Sequence, residues 1–572
     1  MSVNYIVTKK NNCQDCYKCI RECHVKAIKI EEQSASIIDE NCIYCGHCTT
    51  VCPVGAKKVK EDISTVRYLL KNHNRVCVSL APAWVTEFPE FDHKQMVALL
   101  KLLGFSFVSE TALGAEIVSG YVARELSQQE KGIFISPCCP SLIELIQKYY
   151  PQYSDNILKV DTPMLVHGKF LREHYGNDIK VVFIGPCFAK KKEADMNQGI
   201  IDAAITFSQL RKWMEEEELL DELPVPDDED SFVPYAAGKG IVYPVSGGMI
   251  AGVKKSGGRN GVSYMSFTGI KTIVQVLGDL NKLGDHAPVF LELMICDEGC
   301  INGPGTSQKS SVAVKRMAVL DRFELTGMRT EDINLKSSIY NSYSYIVPVV
   351  ASVYTEKEIR ETLKSVGKQN KNDELNCGGC GYECCVDFAR AVLNGKAERK
   401  MCVSYMRRVA QDKATVLLQR MPYGVVIVDR NLRVVESNRI FAEMAGEDAV
   451  LAFEAKPGLE GADLTRLIPF HHYFRNLFDS HETTLEKDIY SGTQFMHLSM
   501  FSIDGRNLMC AILHNLRDPE LKREEIIKRI RTVTRENLKT VQKIAFHLGE
   551  NASSMETLLN SIVDIQNENY EE

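Results

Sequence analysis

Twenty cysteines, most of them in tight clusters, constrain this 572-residue chain more than any other feature. Disulfides are rare in reducing compartments, so clustered cysteines there usually bind metal or take part in catalysis. Soft thiolate ligands favour zinc, copper or iron–sulfur clusters. Only Cys77, Cys384 and Cys510 suit the simpler interpretation of buried thiols that pack like small hydrophobic side chains. The pattern predicts several metal sites.

Length and charge indicate the number of domains and the kinds of partner to expect. A chain of this length predicts several domains rather than one core. The net charge of −7 gives no reason to expect nucleic acid as a partner. The first residues contain no apolar signal-peptide core, and no apolar run approaches the roughly 20 residues that span a bilayer. We therefore expect a cytoplasmic protein without a membrane partner.

The amino-terminal region contains the same four-cysteine run twice. Each run has the spacing C-x2-C-x2-C-x3-C, which is typical of bacterial ferredoxins. In such folds, three cysteines of one run join the fourth cysteine of the other run. The resemblance implies two 4Fe–4S clusters, one on Cys13, Cys16, Cys19 and Cys52, the other on Cys42, Cys45, Cys48 and Cys23. Zinc knuckles are the alternative.

From about Lys71 the pattern changes to α/β. Apolar runs predict buried strands at Val76–Leu80, Gly132–Ile135, Val181–Ile184 and Val289–Met294. Three cysteine motifs follow such runs, where parallel sheets usually place ligands. The motifs are Pro137-Cys138-Cys139-Pro140, Pro186-Cys187-x2-Lys190-x2-Glu193, and Glu292-x-Met294-x-Cys296-x3-Cys300. Acid-rich Glu215–Asp230 predicts a solvated surface insertion.

These three motifs, in this order, resemble the signatures of the iron-only (FeFe) hydrogenases over roughly Arg75 to Gly305. The resemblance implies an H-cluster, in which a 4Fe–4S cluster is bridged to a diiron unit that carries CO, cyanide and a dithiolate. The implied ligands are Cys139, Cys187, Cys296 and Cys300, with Cys300 as the bridge.

Further residues match positions around the family's diiron unit. Cys138 matches a proton-relay cysteine, Lys190 a lysine that donates to cyanide, and Met294 a methionine packed near the diiron unit. Ala81-Pro82 resembles the turn that closes over that unit. The alternative is that Lys190 is one of three surface lysines and that Met294 only packs in the core.

The chain also departs from the family. Leu113 and Leu158 stand where a glutamate and a serine carry protons away from the relay cysteine, and Glu116 remains one turn further on. Leucine passes no proton, so the usual relay is interrupted unless ordered water replaces it. Gly185 replaces a methionine, and Asn302-Gly303-Pro304 replaces a glycine run. These changes argue against fast turnover but not against binding hydrogen.

A third cysteine motif follows a predicted helix over Thr355–Val366, which Thr355 and Glu358 open as a capping box and Gly367 ends. The motif resembles a small 4Fe–4S domain of redox and sensory proteins. Its implied ligands are Cys377, Cys380, Cys385 and Cys402, with Cys384 as the alternative to Cys385. Zinc is the alternative metal.

The carboxy-terminal region resembles a PAS sensory domain. Met421–Asp429 and Leu432–Ser437 predict two strands joined by a polar turn, and Asn438 opens a helix. His471, His472 and His497 are loop or strand histidines rather than haem ligands in this interpretation. Beyond Arg517, apolar positions at three-and-four spacing predict an amphipathic helix, namely Ile526, Ile527, Ile530, Val533, Leu538 and Val541. Such a helix would pair with a second copy or with another protein.

Together these features predict an α/β multidomain chain. Its domains are a ferredoxin-like 2×(4Fe–4S) domain (1–70), an H-cluster α/β domain (71–354), a 4Fe–4S domain (355–412), an α+β PAS domain (413–516) and the helix (517–572). The expected function is that of a sensory, slowly turning over FeFe hydrogenase. The alternatives are a catalyst that exchanges electrons with ferredoxin and a non-enzymatic iron–sulfur carrier or assembly factor.

The resemblance also implies partners. They are H2 and protons, ferredoxin or another redox carrier, a kinase or phosphatase acting in trans, the maturation enzymes and a second copy of the chain.

Overall fold

A computed structural model describes residues 4–220, 224–283, 287–326, 333, 335–350, 352–491, 494–503, 505 and 507–516. The chain divides into two compact units, Met1–Met406 and Arg407–Glu572. The predicted amphipathic helix (517–572) lies outside the described residues. In the part of the chain that the structure describes, no helix is both long and apolar enough to cross a membrane.

The ferredoxin-like region is built from two short antiparallel sheets and two one-turn helices. Its strands are β1 Ile6–Thr8, β2 Ile28–Glu31, β3 Ser34–Ile37 and β4 Lys57–Val59, and its helices are α1 Lys18–Arg21 and α2 His47–Thr50. Strand β1 pairs with β4, and β2 pairs with β3. Tyr17 and Gly46, each the residue after the second cysteine of its run, both adopt the left-handed conformation (φ +57° and +75°). The two runs with the same cysteine spacing therefore share the same backbone conformation at this position.

Among its described residues, the central region contains seven strands and eleven α-helices. The strands are β5 Val76–Leu80, β6 Phe107–Glu110, β7 Ile133–Ile135, β8 Lys180–Gly185, β9 Ala203–Thr206, β10 Ser263–Thr268 and β11 Val289–Met294. The helices are α3 Ile63–Asn72, α4 Trp84–Glu87, α5 His93–Leu102, α6 Ala112–Ser127, α7 Pro140–Tyr149, α8 Pro163–Tyr175, α9 Ala189–Met196, α10 Phe207–Glu216, α11 Gly248–Lys255, α12 Ile270–Asp279 and α13 Val312–Thr326. The four predicted strands are confirmed within one residue at each end.

These strands form two parallel sheets. One has the order β6-β5-β8-β9, and the other has the order β10-β11-β7. Strands β5 and β11 are buried along their whole length, as expected of parallel strands that are covered on both faces.

The described residues of the acid-rich segment are mostly exposed, as expected of a solvated insertion, and ion pairs hold the two ends of the segment. Glu216 ends α10 and pairs with Arg67 at 3.2 Å. Asp230 is buried and pairs with Lys101 at 2.7 Å. The carboxylates are held against neighbouring cations, so the segment is anchored where it leaves and rejoins the domain.

The third cysteine motif lies among helices α14 Glu356–Ser365, α15 Cys385–Leu393 and α16 Val403–Arg420. The predicted capping box is confirmed, since the Thr355 side chain accepts from the Glu358 backbone and the Glu358 carboxylate accepts from the Thr355 backbone. Gly367 follows with φ +77°. Cys402 is the residue immediately before α16.

The second unit contains an antiparallel sheet in the order β13-β12-β16-β15-β14. Its strands are β12 Gly424–Asp429, β13 Val434–Ser437, β14 Thr484–Ser491, β15 Gln494–Ile503 and β16 Leu508–Asn515, and its helices are α17 Arg439–Ala445, α18 Glu447–Ala455, α19 Leu464–Leu467 and α20 His472–Asp479. The two predicted strands are confirmed, and the Asn438 side chain caps α17 by accepting from the Phe441 backbone. His497 lies on β15 and pairs with Asp488 at 2.6 Å, as expected of a strand histidine.

Candidate metal centre

The carboxyl ends of both parallel sheets meet at one place. Ala81-Pro82 follows β5, Thr111 follows β6, Cys138 follows β7, Cys187 follows β8, and Met294 ends β11. The loops that follow parallel strands at this edge can project side chains inward, which is where such sheets usually place ligands. The fold therefore brings the three separated motifs to one edge.

One cavity at this edge, partly open to solvent, has a volume of about 670 Å³. Its wall contains all but one of the residues that the sequence predicts around the H-cluster: Ala81, Pro82, Cys138, Cys139, Cys187, Lys190, Met294 and Cys300. Ala83, Thr111, Ala115, Pro163, Met164, Phe183, Pro186, Tyr243 and Pro244 complete the wall. Cys296 is not part of the wall, and its thiol interacts electrostatically with those of Cys300, Cys187 and Cys139.

Burial governs the chemistry of these four thiols. It raises the pKa of Cys187 to about 11 and holds those of Cys139, Cys296 and Cys300 above the usual range. Neighbouring thiolates raise the pKa further at Cys187, Cys296 and Cys300. Four adjacent buried thiols ionise together only when metal cations compensate their charge. This donor set fits an iron–sulfur cluster. Among the described residues, no group of three or more His, Cys, Asp or Glu side chains is arranged to hold a single metal ion.

Cys138 lies beside this set, with its thiol directed toward Met249 (Sγ to Sδ, 3.4 Å). Burial raises its pKa well above the usual value, the positive charge of Lys190 lowers it, and the negative charge of Glu292 raises it. The Cys138 thiol is therefore protonated at neutral pH and sits between one cation and one carboxyl group.

The three consecutive lysines of the second motif do not lie free on the surface. Lys190 is buried and pairs with Glu193 at 2.7 Å. Lys191 is 2% exposed, pairs with Asp62 at 2.7 Å and donates to the Ala204 carbonyl at 2.8 Å. Lys192 pairs with Glu144. The surface-lysine alternative is wrong, because the helix turns each ammonium to a partner.

Glu292 is a buried carboxyl group near Cys138. It accepts hydrogen bonds from the backbone N–H groups of Gly247 (3.1 Å) and Ile250 (3.0 Å). Desolvation nevertheless dominates and raises its pKa to about 7. Glu292 can therefore hold or release a proton near neutral pH.

Sequence reasoning missed a buried hydroxyl pair at the same cavity. The hydroxyl groups of Tyr243 and Ser119 are 2.8 Å apart, and Tyr243 lines the cavity wall. Neither residue belongs to a cysteine motif, and nothing in their spacing marks them. The contact exists because α6 crosses the turn before α11.

At the two positions where leucine departs from the hydrogenase pattern, the side chains are buried in the protein core. Leu113 and Leu158 are both buried among apolar side chains, in different parts of the core. Glu116 is buried and accepts from the backbone of Gly238 and Gly240. These hydrogen bonds to the Glu116 carboxylate stabilise the loop that contains both glycines.

The other two departures, at Gly185 and at Asn302-Gly303-Pro304, concern how closely neighbouring segments pack. A side chain at Gly185 would meet the ring of Phe183 at 2.6 Å and Ala81 at 3.0 Å, so Phe183 leaves no room for a side chain at this position. Gly305 donates its backbone N–H to the Pro186 carbonyl at 2.8 Å. The loop after the third motif is thereby fixed to the second motif.

A buried hydrogen-bonded chain leads to the cavity from the first sheet. His167 contacts the hydroxyl groups of Ser79 (2.7 Å) and Ser109 (3.0 Å), and Ser79 contacts the Thr111 hydroxyl at 2.8 Å. Burial lowers the pKa of His167 to about 3. The ring is therefore neutral, and its tautomer determines which hydroxyl groups donate along the chain.

The other cysteine sets are also brought together. The thiol of Cys19 interacts with those of Cys13, Cys16 and Cys52, and the thiol of Cys48 interacts with those of Cys45, Cys42 and Cys23. These sets are the ones that the crossed ferredoxin pairing predicts.

In the third motif, Cys380 interacts with Cys402 and Cys377. Cys385 packs in an apolar group with Leu363, and the Cys384 thiol donates to Asp387 at 3.0 Å. The assignment of Cys385 rather than Cys384 as the fourth ligand stays a prediction.

Comparison with known protein families finds three matching models. Residues 74–304 match the model described as "Iron only hydrogenase large subunit, C-terminal domain". Residues 12–56 match a "4Fe-4S dicluster domain", and residues 373–404 match a "Putative Fe-S cluster". Models of iron–sulfur proteins thus match most of the first unit.

Individual relatives agree with these models. Iron hydrogenase 1 of Clostridium pasteurianum is 27% identical over 256 residues, which is 36% of this chain and 44% of that protein. A cytosolic Fe–S cluster assembly factor of Yarrowia lipolytica is 26% identical over 133 residues, which is 22% of this chain and 27% of that protein. The matches thus span less than half the length of either relative.

Two solved structures are also similar. A variant of the [FeFe]-hydrogenase of Chlamydomonas reinhardtii has 19% identity and a TM-score of 0.38, covering 46% of this chain and 88% of that one. A PAS domain of an HTR-like protein from Haloarcula marismortui has 12% identity and a TM-score of 0.15, covering 19% of this chain and 99% of that one.

Proposed function

The chain belongs to the iron-only (FeFe) hydrogenase family, and from this premise we propose that it binds molecular hydrogen at an H-cluster and signals its presence. Electrons would leave through the accessory iron–sulfur clusters and alter the second unit, which we propose is a PAS signalling domain. Turnover would be slow. The cytoplasm is the proposed compartment.

One observation carries this proposal: a single, largely apolar cavity joins the residues of all three motifs. Cys139, Cys187, Cys296 and Cys300 would hold the 4Fe–4S part of the H-cluster. Lys190 supplies the cation that a cyanide-bearing group needs in a dry pocket, and Glu193 fixes the orientation of its ammonium. A carrier of electrons alone has no use for such a cavity.

The proposed splitting of hydrogen also requires a group that accepts or donates protons at the site. When bound, the diiron unit supplies the metal chemistry that splits dihydrogen. The protonated Cys138 thiol lies at the wall of the same cavity and is positioned to exchange a proton at Sγ. Beyond it, Leu113 and Leu158 block the family's route, and the Glu116 carboxylate is held by backbone N–H groups. Restricted proton exit favours a sensor over a fast catalyst.

The experiment is an infrared spectrum of anaerobically matured protein under argon and then under hydrogen. We expect sharp CO and cyanide bands that shift when hydrogen is admitted. Absence of such bands in protein with full iron content would contradict both hydrogen functions and leave an iron–sulfur carrier or assembly factor.

A working catalyst is the second candidate, and one observation favours it. Glu292, with its pKa near 7, and the Tyr243–Ser119 hydroxyl pair offer polar groups beside Cys138 that the usual route does not contain. A turnover of hundreds per second with reduced ferredoxin or hydrogen would favour this candidate. A few turnovers per minute would favour the sensor.

The proposed partners follow from the same function. Ferredoxin or another redox carrier would exchange electrons, maturation enzymes would deliver the diiron unit, and a kinase or phosphatase would receive the signal. The second unit would form the contact with that protein or with a second copy of the chain.

A further inference from the structure

The loop of the third cysteine motif packs directly on the ferredoxin-like region. The ammonium of Lys26 donates to the carbonyl groups of Ile20 (3.1 Å) and Arg21 (3.1 Å) on one side, and to that of Gly381 (3.0 Å) on the other. Arg21 also donates to the Gly379 carbonyl at 3.3 Å. Three carbonyl groups around one ammonium hold the two loops together.

Gly381 allows the two backbones to approach this closely. Its φ of +92° lies in the left-handed region, and a side chain there would meet Ile20 Cγ2 at 3.0 Å and the Arg21 backbone nitrogen at 3.3 Å. The next residue, Tyr382, is buried, and the Lys26 ammonium lies 5.8 Å from the centre of its ring. We call these groups, Lys26, Gly381 and Tyr382, the Lys26 contact.

The Lys26 contact joins cysteines of different predicted clusters. Tyr382 belongs to one apolar group with Cys19 and Cys402, and Cys23 and Cys380 pack against that group. The tyrosine ring is therefore close to a ligand of the second ferredoxin-like cluster and to a ligand of the third motif.

The opposite side of the second ferredoxin-like set faces the H-cluster cavity. The thiol of Cys45 interacts with that of Cys139, and the thiol of Cys296 interacts with that of Cys45. A side chain on Gly46 would meet Phe188 and Pro304 at 2.6 Å, so this loop is tightly packed against the second and third motifs. Cys23 and Cys45, two ligands of one set, thus face different neighbours.

We propose that the cluster held by Cys23, Cys42, Cys45 and Cys48 is a branch point for electrons. One electron would pass from this reduced cluster across the Lys26 contact to the oxidised 4Fe–4S cluster of the third motif, with no bond made or broken. The source of the electron is hydrogen at the H-cluster or an added chemical reductant. This inference rests on the proposed function for the presence of the clusters.

Lys26 is a positioning residue in this arrangement. A fixed cation beside two clusters favours their reduced forms, which carry one more negative charge, and so raises both reduction potentials. The cation lies in a half-buried place where solvent screens it less than at the surface. It also keeps the loops in register for electron transfer.

The test is a dithionite titration of the full-length holoprotein prepared without the diiron unit, followed by electron paramagnetic resonance. In the wild type, the reduced second ferredoxin-like cluster and the reduced third-motif cluster should broaden each other's signals. Lys26→Met should lower the midpoint potentials of these two clusters, and Lys26→Arg should restore them. Lys10→Met, at an exposed lysine of the same region, should leave both unchanged.

Two results would overturn the inference: no mutual broadening in the wild type, or potentials that do not move in Lys26→Met protein with full iron content. If Lys26→Met loses iron, the presence or absence of mutual broadening in the wild type still decides. Zinc instead of iron at the third motif would also overturn it. Because the titration needs no hydrogen, failure of the proposed hydrogen function would not be mistaken for failure of the branch point.

Discussion

Lys191 illustrates how a charged side chain joins two regions of the first unit. Its ammonium is buried on α9 and pairs with Asp62, the residue before α3. A buried charge that loses its partner is left desolvated, which typically costs about 3–5 kcal/mol. Asp62 keeps a second cation, Lys60, at 3.1 Å, which softens that loss.

We therefore expect Lys191→Met to destabilise the first unit by about 3 kcal/mol, toward the lower end of that range. The measurement is urea unfolding of cluster-free protein by tryptophan fluorescence, since both tryptophans, Trp84 and Trp213, lie in the central core. The double variant with Asp62→Asn should cost less than the sum of the single variants. Strict additivity would show that the pair contributes nothing.

His167 makes stability depend on pH. Its pKa falls from 6.5 to about 3 on folding, so below pH 6.5 the unfolded chain takes up a proton that the native protein refuses. The native state should then lose on the order of 1.4 kcal/mol for each pH unit between 6.5 and 3 from this group. His167→Gln should remove that part of the slope in urea unfolding at pH 5 to 7. An unchanged slope would contradict the neutral, buried ring.

We expect substitution of Cys138 to slow turnover without preventing hydrogen binding. Cys138→Ala should keep the CO and cyanide bands but lower turnover by roughly 100-fold or more, because the protonated thiol that lies at the cavity wall is lost. Cys510→Ala, at a buried thiol of the second unit, is the control. Unchanged turnover in Cys138→Ala would move the proton route to another group.

At the scale of elements, helix α6 shows why packing decides the effect of a substitution. Gly114 and Gly120 lie on the same helix, and both lower its intrinsic stability. A side chain at Gly114 would collide with the Pro163 carbonyl and meet His167 at 2.8 Å, whereas one at Gly120 would meet nothing within 4 Å.

Gly120→Ala should therefore stabilise the first unit by about 0.5–1 kcal/mol. Gly114→Ala should destabilise it, because α6 and α8 must move apart. The same urea measurement compares the two, and equal effects would contradict the close helix contact.

The elements were predictable where the sequence signal is local. Val76–Leu80 and Val289–Met294 are continuous apolar runs, and the Thr355 cap and the Asn438 cap are short-range patterns. The Tyr243–Ser119 pair was not predictable, since it depends on two segments more than 120 residues apart meeting in the cavity wall. Likewise, no local pattern indicates that Lys191 points inward.

At the scale of the whole molecule, the proposed sensor makes a prediction about the second unit. Hydrogen should change the amide hydrogen-exchange rates of residues 424–515 relative to argon, because a redox change in the clusters biases the signalling domain. Cys380→Ala, which would lose the third-motif cluster, should abolish this change while the infrared bands still respond. Identical exchange under both gases in the wild type would argue for the catalyst instead.

Gly46 has a consequence for the history of this protein. Its missing side chain lets one loop of the ferredoxin-like region lie against Phe188 of the second motif and Pro304 of the loop after the third motif. An exchange of either region for a homologous one would have to preserve three positions at once. The two regions are therefore expected to be inherited as a pair, and a chimera that joins this hydrogenase domain to a foreign ferredoxin needs glycine at that position to assemble.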